Sequence, residues 1–138
     1  MQTDNIMKRK LKILRIISSI DPKYGGPPKA TIDSSITLIK QGFEIHILTT
    51  DLGGKKFSKS NKIKIIYKGP YILGDYRFSL KQFLWLHKNR DKYDVFIVHG
   101  LWQFNTLIAR ILLKKKYFVF LHGQLDPFFK EDFFKMIK

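Results

Sequence analysis

Residues 12–31 read KILRIISSIDPKYGGPPKAT, and the fold turns on how this stretch divides. Lys12 to Ser18 is short, rich in isoleucine and followed by turn formers, the pattern of a buried strand. Gly25 and Gly26 reach backbone angles that other residues avoid and leave room for a ligand or a second backbone. Pro27 and Pro28 fix φ and suit the first turn of a helix. Ile32, Ile36 and Ile39 then recur at i, i+4 and i+7 on one helical face, and Gly42 stands where a helix commonly stops. The stretch is therefore a strand, a sharp glycine–proline loop and a helix.

The same alternation continues outward. FEIHILTT, residues 43–50, predicts a second strand, and the polar, lysine-rich DLGGKKFSKSNK after it a loop. Ile63 to Tyr67 predicts a third strand. Ser79 can cap a helix whose inward face is Leu80, Phe83, Leu84 and His87. Tyr93 to Val98 predicts a fourth strand. A helix starting at Asn105 or Thr106 turns Leu107, Ile108, Ile111 and Leu112 inward, with Lys114 to Lys116 at its negative end. YFVFL, residues 117–121, predicts a fifth strand, and EDFFKMIK at the end of the chain has helical character. Strands that alternate with helices and are apolar throughout imply an α/β protein with a parallel sheet covered on both faces. Ligands in that architecture sit beyond the carboxyl ends of the strands, here just after residues 18, 50, 98 and 121.

A chain of 138 residues with 44% apolar and 14% aromatic residues makes one globular domain. There is no cysteine, so disulfides, thiol catalysis and cysteine-held metals are excluded. No apolar run approaches the roughly 18 residues of a membrane helix. The opening MQTDNIMKRKLKILRIISSI has basic residues before an apolar stretch, but no small-residue cleavage site follows and Asp21-Pro22 ends the run. Met7 is an alternative start, and residues 1–11 read as an extension ahead of a domain at 12–138. The net charge of +15 is spread along the chain, which suits a solvated surface or an anionic membrane better than nucleic acid.

Two strand ends carry the same dipeptide, His99-Gly100 in FIVHGLW and His122-Gly123 in VFLHGQLDPF. An imidazole there faces the crevice, can donate or accept a hydrogen bond, and titrates near neutrality. Asp126, before Pro127, suits a helix cap. No metal site is expected, because no third ligand has suitable spacing. His46, within a strand, and His87, on a helix, read as core or boundary residues. The opening loop has neither the G-x-G-x-x-G of dinucleotide-binding proteins nor the G-K-[ST] of a P-loop. Its open backbone beside a helix N-terminus can still hold a phosphate or serve as a plain turn.

Taken together, KILRIISSIDPKYGGPPKATIDSSITLIKQGFEIHILTTD, DVFIVHGLW and FVFLHGQLDPFF resemble the amino-terminal domain of family 4 glycosyltransferases, which are retaining enzymes of GT-B fold. The resemblance runs from about Lys12 to about Phe134. It implies a Rossmann-like domain, incomplete at its carboxyl end, on the acceptor side of an enzyme that moves a hexose from a nucleoside diphosphate sugar to a hydroxyl. Gly25 and Gly26 would lie against the donor diphosphate, and His122 would approach the transferred sugar as the catalytic residue. His99, Gly123 and Asp126 would lie near the acceptor or sugar. Relatives often carry a histidine two places before His99, where this chain has Ile97. The resemblance also implies a lipid-linked or saccharide acceptor made for surface polysaccharide or glycolipid, and a cytoplasmic location, with an anionic membrane surface as a further partner. No cofactor and no nucleic acid are implied. The donor-binding domain of such enzymes would begin well after Lys138, so the chain by itself is expected to be inactive without a separate carboxyl-terminal half. The alternative is a non-catalytic binding module derived from such a domain.

Overall fold

The computed structural model describes residues 9–54, 62–114 and 117–122. Five strands, β1 (Lys12–Ile16), β2 (Glu44–Thr49), β3 (Lys64–Tyr67), β4 (Val95–His99) and β5 (Tyr117–Phe120), form one sheet in the order β3-β2-β1-β4-β5. Every neighbouring pair is parallel. Three α-helices lie between the described strands: α1 (Gly26–Lys40), α2 (Leu80–Asn89) and α3 (Phe104–Leu112). This is the Rossmann-like α/β architecture that the uniformly apolar strands imply.

The two faces of the sheet are covered by different helices, because successive side chains of a strand point to opposite sides. Leu14 and Ile16 of β1, Leu48, Phe96 and Val98 pack with Leu86 of α2 and with Phe104, Ile108, Ala109 and Leu112 of α3. On the other side Ile17, Ile20, Ile47 and Ile63 pack with Ile32 of α1, and Ile36 and Ile39 join them. The isoleucine stripe foreseen for α1 therefore faces the core. Its carboxyl end closes at Gly42, where φ is 98°. Gly42 N donates to Ile39 O and Phe43 N to Leu38 O, the paired bonds of a Schellman ending.

The other two helices are rotated from the expected faces. In α2, Ser79 caps as foreseen by accepting from Gln82 N at 3.2 Å. The buried residues, however, are Gln82 and Leu86, whereas Leu80 and Leu84 are exposed. His87 is also exposed. The large rings of Phe83 and Trp85 pack against the core and set the rotation. In α3 the buried stripe is Phe104, Ile108 and Leu112, flanked by Asn105 and Ala109. Leu107 and Ile111 are exposed. The helix begins earlier than expected because Phe104 is anchored on Phe78, with ring centroids 4.6 Å apart. His46 is buried as expected, with Nδ1 2.8 Å from the Tyr93 hydroxyl.

Candidate functional site

The strand order reverses at β1, whose two neighbours are β2 and β4. Chain segments leaving adjacent strands diverge at such a point and open a crevice beyond their carboxyl ends. A cavity of about 210 Å³ lies there. Ile17, Ser18 and Ser19 line it from the end of β1, His99 and Gly100 from β4, and His122 from beyond β5. Its remaining wall includes Tyr24, Pro27 and Pro28 beside α1, and Asp75, Arg77 and Gln103.

The end of β1 is held by polar bonds. The Asp51 carboxylate accepts from Ser19 Oγ at 2.6 Å and from Ile20 N at 2.8 Å. The Ser18 carbonyl accepts from the Thr50 hydroxyl at 2.8 Å and from Arg77 Nη1 at 2.9 Å. Ser18 Oγ donates to Gln103 Oε1 at 2.6 Å, which ties the β1 loop to the start of α3. Arg77 sits at a positive φ of 56°, with its guanidinium 4.8 Å from the Tyr24 ring centroid and 4.2 Å from that of Tyr71. Two rings and an ion pair to Asp51 at 3.5 Å thus hold the cavity's one cation among its described lining residues.

The two strand-end histidines are brought together. His99 Nδ1 and His122 Nε2 are 2.8 Å apart, and the two rings meet edge to edge, near-coplanar at 20° with centroids 5.1 Å apart. Phe120 stacks on His99 with centroids 5.5 Å apart. Behind them Arg15 Nε donates to His99 Nε2 at 3.1 Å. Arg15 is a charged residue within a buried strand, and α1 holds one arm of it: Nη1 lies within donating distance of Thr31 O at 3.2 Å, Ser34 Oγ at 2.6 Å and Ser35 Oγ at 3.0 Å. Burial pushes the Arg15 pKa down to about 10. Burial first, then the Arg15 and His122 charges, lowers His99 to about 3. His122 is lowered as well, by partial burial and then by Arg15. Both imidazoles are therefore neutral at physiological pH.

The glycine loop stands at the edge of this site. Gly25 has φ 88° and ψ −142°, which a side chain would strain, whereas Gly26 is the first residue of α1. Neither lines the cavity; their neighbours Tyr24, Pro27 and Pro28 do. The amide supply is smaller than the sequence suggested. Gly25 N–H is spent on Pro22 O, and the next two helical positions after Gly26 are prolines without an N–H. Gly26 N–H and the helix dipole are what remain for an anion. Gly123 and Asp126 lie outside the described residues, as does the terminal EDFFKMIK. Among the described residues no group of three acidic or histidine side chains could hold a metal.

Reading by residue type missed Arg15, Arg77, Gln103 and Tyr24. Arg15 alone carried a signal, since arginine in an apolar strand is rarely buried without partners and Ser34-Ser35 stands on the next helix. The chain matches no protein-family model and no curated protein.

Proposed function

We propose that this domain is the acceptor-side half of a sugar-nucleotide-dependent glycosyltransferase that transfers a hexose to a hydroxyl with retention of anomeric configuration. The observation that carries this reading is the convergence of His99, Gly100 and His122 with the glycine–proline loop around one cavity at the point of strand reversal. In this reading His122 meets the transferred sugar, and Gly26 N–H with the α1 dipole stabilises part of the charge on the leaving diphosphate. Gly25 makes the turn that brings α1 to that position. The cavity is suited to a sugar or a diphosphate fragment but not to both, so the nucleotide would lie largely on a donor-binding unit supplied by further chain or by a partner. The positive charge of +15 supports an anionic membrane surface carrying a lipid-linked acceptor as the setting.

Titrating the isotope-labelled chain with nucleoside diphosphate sugars, nucleoside diphosphates and free sugars tests this reading by NMR. Chemical-shift changes are expected at Ser18, Gly26, Gly100 and His122, with weak affinity and little turnover by the chain alone. Changes elsewhere, or none with any compound, would overturn it. A second reading, a non-catalytic sugar-binding module, is favoured by Asp75 standing beside Arg77 in the lining, because a carboxylate opposes a diphosphate. Binding of free sugars but of no nucleotide sugar would select it.

A further inference from the structure

We infer that Arg15, through His99, is a positioning residue that makes Nδ1 of His122 a hydrogen-bond donor. The argument is one of proton counting along three groups. A guanidinium has N–H donors and no acceptor, so the Arg15 Nε contact at 3.1 Å requires a lone pair on His99 Nε2. A neutral imidazole carries one proton, and on His99 it is therefore on Nδ1. His99 Nδ1–H then donates across 2.8 Å to His122, whose Nε2 supplies the lone pair. The single proton of neutral His122 is left on Nδ1. Both rings thus hold the Nδ1–H form, opposite to the Nε2–H form that free histidine prefers. Adding a proton to either ring would set two N–H groups against each other and break the chain.

The surroundings leave little freedom for another arrangement. Arg15 is fixed from α1 by Thr31, Ser34 and Ser35. His99 is 2% exposed, lies beside the Phe120 ring and meets His122 edge to edge, and its own carbonyl accepts from Asn105 Nδ2 at 2.9 Å. Asp75 and Arg77 are the charged groups that share the cavity with His122. Among the described residues His122 Nδ1 has no hydrogen-bond partner, and His122 lines the cavity. The chemical class that fits is an oxygen lone pair turned to the N–H: that of a hydroxyl, a carbonyl or a phosphate. His122 in this form cannot accept a proton at Nδ1, which excludes it as a general base through that atom. That this ligand oxygen belongs to a sugar rests on the proposed function; the proton arrangement does not.

The experiment is a two-bond proton–nitrogen correlation spectrum of the imidazoles in the ligand-free chain near neutral pH. A protonated ring nitrogen and an unprotonated one resonate in separate regions. The expected result is protonated Nδ1 and unprotonated Nε2 on both His99 and His122. In Arg15→Met and in His99→Phe, His122 is expected to shift toward the Nε2–H form, and Arg15→Lys is expected to restore it only in part. A merely structural role for Arg15 would change stability without exchanging these shifts. An Nε2–H signal for His122 in the unmodified chain, or a tautomer unchanged in a folded variant, would overturn the inference. The unmodified spectrum decides even where a variant fails to fold. Because no ligand is added, a failure here is distinct from a failure to bind nucleotide sugars.

Discussion

Gly25 and Gly26 are adjacent, yet the chain asks different things of them. Gly25 holds φ 88° and ψ −142°, so Gly25→Ala is expected to cost about 1–3 kcal/mol in a urea unfolding titration. Gly26 opens α1, and a methyl group there meets nothing within 4 Å. Gly26→Ala should therefore leave stability within about 0.5 kcal/mol, and any loss of ligand binding in it would report close approach to the backbone. His99 carries a separate expectation. Its pKa is about 3 in the folded chain against an ordinary 6.5, so unfolding takes up a proton throughout that window. Its contribution is whole above the ordinary value and is lost as pH falls toward the folded one. From His99 alone, stability should fall by about 2 kcal/mol between pH 7 and pH 5. Thermal unfolding across that range checks this, and His99→Phe should flatten the profile. The glycine loop and both strand-end histidines were legible in the sequence, because turn formers and strand ends are local signals. Arg77 was not, since its place depends on Tyr24 and Asp51 from two other segments and on Tyr71 across its own loop.

At the scale of elements, the order and type of every described strand and α-helix could be read from apolar runs and caps, whereas the short 3-10 turns at Pro22–Tyr24, Gly74–Tyr76 and Arg90–Lys92 could not. Which face a helix buries could not. In α2 Leu80 and Leu84 are exposed although Leu86 is buried, and Gln82 lies fully buried with neither amide atom bonded among the described residues. Burying an amide without partners is unfavourable, so Gln82→Leu is expected to raise stability by about 1–3 kcal/mol, measured by urea unfolding. No gain would mean that a buried water satisfies the amide. In α3 the register of the helix follows Phe104 against Phe78, a contact between residues on different elements that periodicity within one helix cannot express.

For the molecule as a whole, the end of the sheet matters most. Among the described residues β5 has a strand neighbour on one side only, and Phe118 and Phe120 are 62% and 49% exposed. An apolar edge of this kind favours pairing with another chain. Sedimentation is expected to show concentration-dependent self-association that Phe118→Lys diminishes; a monomer at every concentration would show that the edge is covered in solution. No described helix is long and apolar enough to cross a membrane. By itself the sequence determined the alternation of strand and helix, the parallel sheet and the strand ends around which the cavity opens, because hydrophobic period and turn chemistry act over a few residues. Only the tertiary structure decided which side chains share that cavity. Arg15 pairs in register with Ile97, and the two-residue period of a strand then puts His99 on the Arg15 face. The two residues stand 84 positions apart in the chain, and sheet order rather than sequence proximity joins them.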